Sequence, residues 1–231
     1  MQSFFNDNSK NVWYNLTNKV KGKYTMKVLM INGSPRANGN TSVAIAELEK
    51  VFSKNGIETE IVQIGNKEIR GCMACGYCFK NGKCAIDDIV NNELAEKFRE
   101  CDGLIVASPV FYASANGTLI SLLDRLFYST GFNKTMKVGA AVAVARRGGC
   151  TATFDQLNKY FTISGMPIAS GQYWNSVHGR KVGEAVGDEE GLQGMRTLAE
   201  NMTFLIKSIA LGKQKYGIPE KEKWIMTNFV K

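Results

Sequence analysis

Residues 27–42 have the sequence KVLMINGSPRANGNTS, and this stretch predicts the start of an α/β fold. The apolar run from Lys27 to Ile31 is typical of a strand that is buried on both faces. A turn is expected at Gly33-Ser34-Pro35, and a helix from about Thr41. A polar loop at a helix N-terminus is suited to phosphate, because the free N–H groups of the first helical turn point towards the ligand.

The rest of the chain alternates predicted strands with predicted helices. Further strands are expected at 57–64, 103–108, 138–145 and, more weakly, 168–174; further helices are expected at about 88–100, 116–127, 152–164 and 188–210. Alternation of this kind indicates a doubly wound parallel sheet with helices on both faces. Five strands fit the flavodoxin-like order 2-1-3-4-5.

Composition points to a globular protein of ordinary hydrophobicity. The chain has 231 residues, 44% of them hydrophobic, and a formal net charge of +8. A basic surface favours phosphorylated ligands such as pyridine nucleotides, and the sequence holds no nucleic-acid-binding motif. It shows neither a signal peptide nor an apolar run long enough to span a membrane, so we expect a cytoplasmic protein with no membrane partner.

Three segments are predicted: an N-terminal extension (1–25), a flavodoxin-like domain (26–212) with a cysteine-rich loop at 71–86, and a basic tail (213–231). Both ends carry aromatic residues: Phe4, Phe5, Trp13 and Tyr14 in the first, Tyr216, Trp224 and Phe229 in the last. Either these ends are poorly ordered or their aromatic side chains dock on a neighbouring subunit. We expect a homodimer or homotetramer.

The loop after the first strand is the candidate phosphate site. Ser34, Thr41 and Ser42 bring hydroxyl groups, Asn40 brings an amide and Arg36 a positive charge; Asn38 belongs to the same loop. The loop lacks both the G-x-G-x-x-G pattern of dinucleotide sites and the GK[ST] pattern of nucleotide triphosphatases. The alternative is that the stretch is only a turn followed by a helix cap.

Two further loops are expected at the same edge of the sheet. Ser108-Pro109-Val110-Phe111-Tyr112 follows the third strand, and Arg146-Arg147-Gly148-Gly149 follows the fourth. Ligands of open α/β sheets bind beyond the carboxyl ends of the strands. Aromatic groups, glycine amides and guanidinium groups next to a phosphate site are what a flat flavin ring with a phosphate tail requires.

Four cysteines lie within thirteen residues, at Cys72, Cys75, Cys78 and Cys84, in the spacing C-x2-C-x2-C-x5-C. Clustered thiolates are soft ligands, and this spacing is compatible with one 4Fe–4S cluster. Structural zinc is an alternative, although its four thiolates usually come as two separated pairs. Bare thiols or a disulfide would be a further alternative.

Together these motifs resemble the NAD(P)H-dependent FMN reductase superfamily and, within it, the iron–sulfur flavoproteins. The resemblance covers about residues 26–210 and includes Leu122-Leu123-Asp124-Arg125. It implies FMN, NAD(P)H as co-substrate and active sites completed by other subunits. It assigns Ser34, Arg36, Asn40, Thr41 and Ser42 to the FMN phosphate, Pro109, Val110, Phe111, Tyr112, Arg147, Gly148 and Gly149 to the ring, and the four clustered cysteines to the 4Fe–4S cluster.

We therefore expect an FMN-dependent oxidoreductase that takes electrons from NAD(P)H, or from reduced ferredoxin through the cluster, to a quinone, a nitro or azo compound or a flavin. The alternatives are a non-enzymatic electron carrier between proteins and a zinc-containing regulatory module without flavin. No catalytic side chain is expected, because the cofactor carries the chemistry. We interpret His178 as a loop residue and Asp124-Arg125 as a surface ion pair or a subunit contact.

Overall fold

The computed structural model describes residues 25–65, 67–223 and 225–229, and its centre is a parallel sheet. The strands are β1 (Lys27–Asn32), β2 (Glu58–Gln63), β3 (Gly103–Phe111), β4 (Ser114–Ala115), β5 (Val138–Ala145) and β6 (Ser176–His178). Five of them pair in parallel in the order β2-β1-β3-β5-β6, and β4 pairs with β3 in antiparallel fashion. Counted along the chain, the five parallel strands have the predicted order 2-1-3-4-5, so the flavodoxin-like fold is confirmed.

Helices cover both faces of this sheet. They are α1 (Asn40–Lys54), α2 (Tyr77–Asn81), α3 (Ala95–Glu100), α4 (Gly117–Ser129), α5 (Cys150–Ile163) and α6 (Glu189–Tyr216). A π-helical turn at Val90–Leu94 leads into α3, and a 3-10 turn at Glu184–Gly187 precedes α6. Buried side chains of α1 and α6 share one core cluster, and those of α3, α4 and α5 share the other.

Strand β1 shows why both faces of the sheet need cover. Val28 and Met30 belong to the core on the α1 side, whereas Leu29 and Ile31 belong to the core on the α4 side. All four side chains are at most 1% exposed. The continuous apolar run of β1 therefore follows from burial on two faces, as expected for a parallel strand between helices.

The position of the fifth parallel strand corrects the prediction. Residues 168–174 make a single bridge to the sheet, between Ile168 and Gly139, and the strand itself begins at Ser176. The side chain of Asn175 explains the delay, since its Oδ1 accepts a hydrogen bond from the Gly171 N–H and its Nδ2 donates to the Ala141 oxygen. These bonds fold residues 171–175 into a loop beside β5 before the ladder resumes.

Strand β3 continues beyond its predicted end at Ser108. Its last residues form a hairpin with β4, in which Val110 pairs with Ala115 and Phe111 with Ser114. The two residues of the turn, Tyr112 and Ala113, have φ values of 50° and 58°. Two consecutive positive φ values are typical of the type I′ turn that joins tight hairpins. The hairpin places an aromatic side chain at its tip.

Several predictions about the chain ends lie outside the described residues. Phe4, Phe5, Trp13, Tyr14 and Trp224 belong to this group. Phe229 is described and is 93% exposed. The division of the chain after residues 25 and 212 stays a prediction. None of the helices in the described ranges combines the length and the hydrophobicity that crossing a bilayer requires.

Candidate functional site

Asn116 ties together the loops at the carboxyl edge of the sheet. Its side-chain Nδ2 donates a 2.8 Å hydrogen bond to the backbone oxygen of Gly33, and its Oδ1 accepts one from Thr118 N–H and so caps α4. Its own N–H donates to the Ser108 hydroxyl over 2.9 Å. The loop after β1 and the segment after β3 are therefore held against each other, as expected for loops that follow neighbouring parallel strands.

The loop after β1 presents an uncapped helix N-terminus. Gly39 precedes α1 and provides no side-chain cap, and no acidic residue lies in the first turn. Ser34 is buried and its hydroxyl accepts a hydrogen bond from the Arg36 N–H, whereas the side chains of Arg36 and Asn38 are exposed. Free N–H groups and the positive end of the helix dipole suit an anion at this position.

Two residues predicted to bind phosphate, Asn40 and Ser42, instead make hydrogen bonds within the protein. The Asn40 Oδ1 accepts a 3.1 Å hydrogen bond from the Ala185 N–H, which holds the loop between β6 and α6. The Ser42 hydroxyl accepts from Asn32 Nδ2 over 3.0 Å and donates to the Ala37 oxygen. Thr41 is 2% exposed and makes no side-chain hydrogen bond within the described ranges. Among the polar side chains of this loop, that of Arg36 is exposed to solvent, whereas those of Ser34 and Thr41 are buried.

The two loops predicted to hold a ring lie in contact. Gly149 has a φ of 93°, and a Cβ built on it would lie 2.8 Å from both the Ala113 Cα and the Val110 Cγ1. Only glycine fits this backbone conformation beside the hairpin. Pro109 and Val110 are partly buried, whereas Phe111 and Tyr112 are 47% and 106% exposed. Arg147 and Gly148 are also exposed, so aromatic, guanidinium and backbone groups border one surface.

The four clustered cysteines line one cavity on the other end of α4. Cys72, Cys75, Cys78 and Cys84 all line this cavity, and none of them forms a disulfide. Cys78 lies in the short helix α2 and the others lie in the loops on either side of it. The spacing of the cysteines along the chain therefore becomes a spatial cluster.

The thiols do not converge on a single point. Within the described part of the chain, no three His, Cys, Asp or Glu side chains are close enough together to hold one metal ion. A zinc site needs four ligands at about 2.3 Å from one ion. A 4Fe–4S cluster instead binds each thiolate to a different iron. The donor set, four thiol groups around one cavity, is of the kind that binds a 4Fe–4S cluster or zinc.

The predicted surface ion pair between Asp124 and Arg125 is wrong, because Arg125 is buried and pairs with Asp88, whereas the alternative of a subunit contact stays a prediction. Its side chain is 1% exposed, and two of its nitrogens bind the two carboxylate oxygens of Asp88 at 2.5 and 2.8 Å. Burial would lower the pKa of the guanidinium, but hydrogen bonds to Asp88 and Cys84 leave the pKa above its usual value. Asp124 is exposed and accepts a hydrogen bond from the Tyr160 hydroxyl instead.

Cys150, His178 and Asp188 lie together at the carboxyl edge of the sheet, an arrangement that was not predicted from the sequence. The Cys150 sulfur lies 3.9 Å from His178 Nε2, and His178 Nδ1 lies 3.6 Å from an oxygen of Asp188. The same Asp188 caps α6 and binds the His178 N–H. Burial, with the charge of Asp188, raises the pKa of the Cys150 thiol. A raised pKa disfavours the thiolate, which is the nucleophilic form of cysteine.

Comparison with known protein families identifies the family to which the three loops and the cysteine cavity belong. The family described as NADPH-dependent FMN reductase matches residues 26–181, which contain all three loops and the cysteine cavity. The chain belongs to this family. It is accordingly a flavin oxidoreductase with FMN as its cofactor. The matched residues begin at the edge of β1 and end just after β6.

Relatives of known name extend the likeness beyond that range. An iron–sulfur flavoprotein of Methanocaldococcus jannaschii is 35% identical over 192 residues, which cover 80% of this chain and 99% of that protein. An iron–sulfur flavoprotein of Methanosarcina thermophila is 35% identical over 196 residues, covering 80% of this chain and 96% of that one. The likeness therefore spans almost the whole of both relatives.

Solved structures support the fold independently. The structure of RosB with a bound 8-demethyl-8-formylriboflavin-5′-phosphate has a TM-score of 0.65 and 18% sequence identity, and covers 90% of this chain and 93% of that one. At this identity the likeness establishes the fold alone.

Proposed function

We propose that this FMN oxidoreductase binds the FMN phosphate at the N-terminus of α1 and the ring between the β3–β4 hairpin and the loop before α5. The observation that carries this assignment is the contact of Gly149 with Val110 and Ala113, beside the loop that Asn116 holds. The uncapped first turn of α1 and the exposed Arg36 supply the positive potential that a phosphate requires.

The hairpin tip suits a ring-binding role. Tyr112 extends fully into solvent from the tight turn of the hairpin, whose geometry accounts for its positive φ. An exposed aromatic side chain beside glycine backbone offers a stacking surface for a flat ring and N–H groups for its edge. We assign stacking to Phe111 and Tyr112, and edge contacts to the backbone of Gly148 and Gly149.

Charge at this edge of the sheet favours an anionic electron donor. Five exposed cations lie on three loops there, namely Arg36, Arg146, Arg147, Arg180 and Lys181. Together they create a positive potential that attracts the phosphates of NAD(P)H. Bound FMN would supply the hydride-accepting chemistry between NAD(P)H and a small acceptor, while these loops would hold it in place. The acceptor class proposed is a quinone, a nitro or azo compound, or a free flavin.

We further propose that Cys72, Cys75, Cys78 and Cys84 hold one 4Fe–4S cluster, which supplies one-electron chemistry. The shared cavity, the free thiols and the relatives' names support this assignment. Helix α4 contributes to both sites, with Asn116 at the loop end and Arg125 at the cavity. Nine residues separate them, which corresponds to about 13 Å along the helix axis.

The second candidate function, electron transfer between proteins without a small substrate, draws support from this shared helix and the exposed cysteine loop. Anaerobic mixing separates the two functions. Fast loss of flavin absorbance with NADH or NADPH, followed by its return on adding a quinone, is expected for the enzyme. Reduction by reduced ferredoxin alone would reject the NAD(P)H-dependent enzyme and favour the carrier. The Arg36→Ala/Thr41→Ala variant, which is expected to lose FMN, provides the blank.

A further inference from the structure

Arg125 stands out because a charged side chain is almost completely removed from water. It is 1% exposed and is the largest of the fully buried side chains in the described residues. Burial of an ionised group is unfavourable unless charges and hydrogen bonds compensate it. A guanidinium has five N–H donors and cannot lose its charge at ordinary pH. The partners of these donors therefore indicate what the residue is for.

Every recorded partner of the Arg125 side chain lies in one short segment, residues 70–88. The two terminal nitrogens bind both oxygens of Asp88 and also donate to the backbone oxygens of Arg70 at 3.2 Å and Ile86 at 3.4 Å. The remaining nitrogen, Nε, donates to the sulfur of Cys84 at 3.4 Å. One side chain of α4 thus fixes both ends of the cysteine-rich segment.

The hydrogen bond to Cys84 reaches the cavity itself. Arg125 and Tyr128 of α4 line it together with the four cysteines. Asp88 occupies the side of the guanidinium that faces away from Nε, so the ion pair leaves the N–H···S contact in place. Hydrogen bonds to ligand sulfurs stabilise the more negative, reduced state of an iron–sulfur cluster and raise its reduction potential.

We propose that Arg125 is a positioning residue for the cluster, which holds Cys84 as its fourth ligand and raises the reduction potential of the cluster through the N–H···S hydrogen bond. Asp88 orients the guanidinium and, as a nearby negative charge, acts on the potential in the opposite direction. This inference rests on the cluster assignment made above, and Arg125 lies nine positions along the chain from Asn116, the residue that holds the loop after β1.

Two variants separate this role from that of a structural staple. Arg125→Lys keeps the charge but loses the planar donor to Cys84, and Asp88→Asn removes the negative charge while keeping the side-chain shape. Asp124→Asn, on the exposed side of the same helix, is the matched control. Each anaerobically prepared protein is assayed for iron, sulfide and FMN, and its cluster potential is measured by reductive titration with dithionite, followed by electron paramagnetic resonance.

We expect Arg125→Lys to lower the cluster potential by at least a tenfold shift of the one-electron equilibrium, about 59 mV. Asp88→Asn is expected to raise it, and Asp124→Asn to leave it unchanged. FMN content should stay at the wild-type value throughout. Shifts of the same sign in both variants, unchanged potentials with full iron content, or loss of FMN from both variants would overturn the proposal while the cluster assignment stands. Absence of iron from wild-type protein would overturn both.

Discussion

The Asn116 side chain donates a 2.8 Å hydrogen bond to the backbone oxygen of Gly33, across 83 residues of sequence. Because the same side chain caps α4, it connects the loop after β1 to the helix that borders the cysteine cavity. The two proposed cofactor sites therefore share one helix, with the loop after β1 at its N-terminus and the cysteine cavity farther along it.

The contact of Gly149 with the hairpin gives a first prediction. Gly149→Ala places a Cβ in a φ of 93° and 2.8 Å from two hairpin atoms, so the free energy of unfolding should fall by about 1–2 kcal/mol. The melting temperature should fall by roughly 2–8 °C, and FMN should bind more weakly. Gly148→Ala is the matched stability control, because its Cβ meets no atom within 4 Å. Equal melting temperatures for the two variants would contradict the contact.

The cysteine cavity gives a second prediction. Cys78→Ser should lose iron and the broad visible absorption while it keeps FMN, because the phosphate loop lies at the other end of α4. Cys101→Ala is the control, since Cys101 is buried outside the cavity and burial raises its pKa to about 12. Iron assays and flavin fluorescence measure the iron and FMN content of the two variants. Equal iron loss in both variants would show that the cavity cysteines do not act as a specific set.

Lys134 gives a third prediction, on pH dependence. Burial, with the charges of Lys137 and Lys221, lowers the pKa of this lysine to about 8, against 10.5 for an ordinary lysine. Between these pH values the unfolded chain binds more protons than the folded one, so Lys134 destabilises the fold less as pH rises. Relative to Lys134→Met, wild-type stability should therefore rise by up to about 3 kcal/mol from pH 7 to pH 10.5.

Denaturant unfolding of both proteins at several pH values measures that difference. Lys54→Met, at an exposed position on α1, controls for the loss of one positive charge. A difference in unfolding free energy between wild type and Lys134→Met that does not change with pH would show that the Lys134 ammonium is not desolvated in the folded state.

Exposed aromatic side chains lead to the prediction of an oligomer. Tyr173 and Trp174 pack against each other at 4.6 Å between ring centroids, yet remain 66% and 51% exposed. Adjacent exposed aromatic rings form part of an apolar patch, and large contiguous patches of this kind mark contact surfaces. Light scattering at micromolar concentration should give a dimer or a larger assembly, and Tyr173→Ser/Trp174→Ser should weaken it. A 25.5 kDa monomer with FMN bound would refute the prediction.

Much of the fold follows from local sequence signals. The apolar runs of β1, β3 and β5 and the glycine and asparagine residues around them indicate the strands and their edges. The last parallel strand was misplaced because its position depends on Asn175, whose side chain bonds to Ala141, 34 residues away. A local pattern carries no information about such a contact.

The candidate site was predictable to the extent that its residues are close in sequence. The cysteine spacing and the loop from Ser34 to Ser42 are local signals. The burial of Arg125 leaves no local signal in the sequence, because its partner Asp88 lies 37 residues away. The leucine pattern of α4 also does not distinguish a buried arginine from an exposed one. The group formed by Cys150, His178 and Asp188 depends in the same way on three separate elements.

The most direct test of the central claim is the absorption spectrum of anaerobically purified protein, with FMN, iron and sulfide counted per chain. One FMN, about four irons and about four sulfides are expected per chain. NADPH is also expected to remove the flavin absorbance within the dead time of manual mixing. A protein with no FMN, or one whose bound FMN stays oxidised with both NADPH and NADH, would contradict this function.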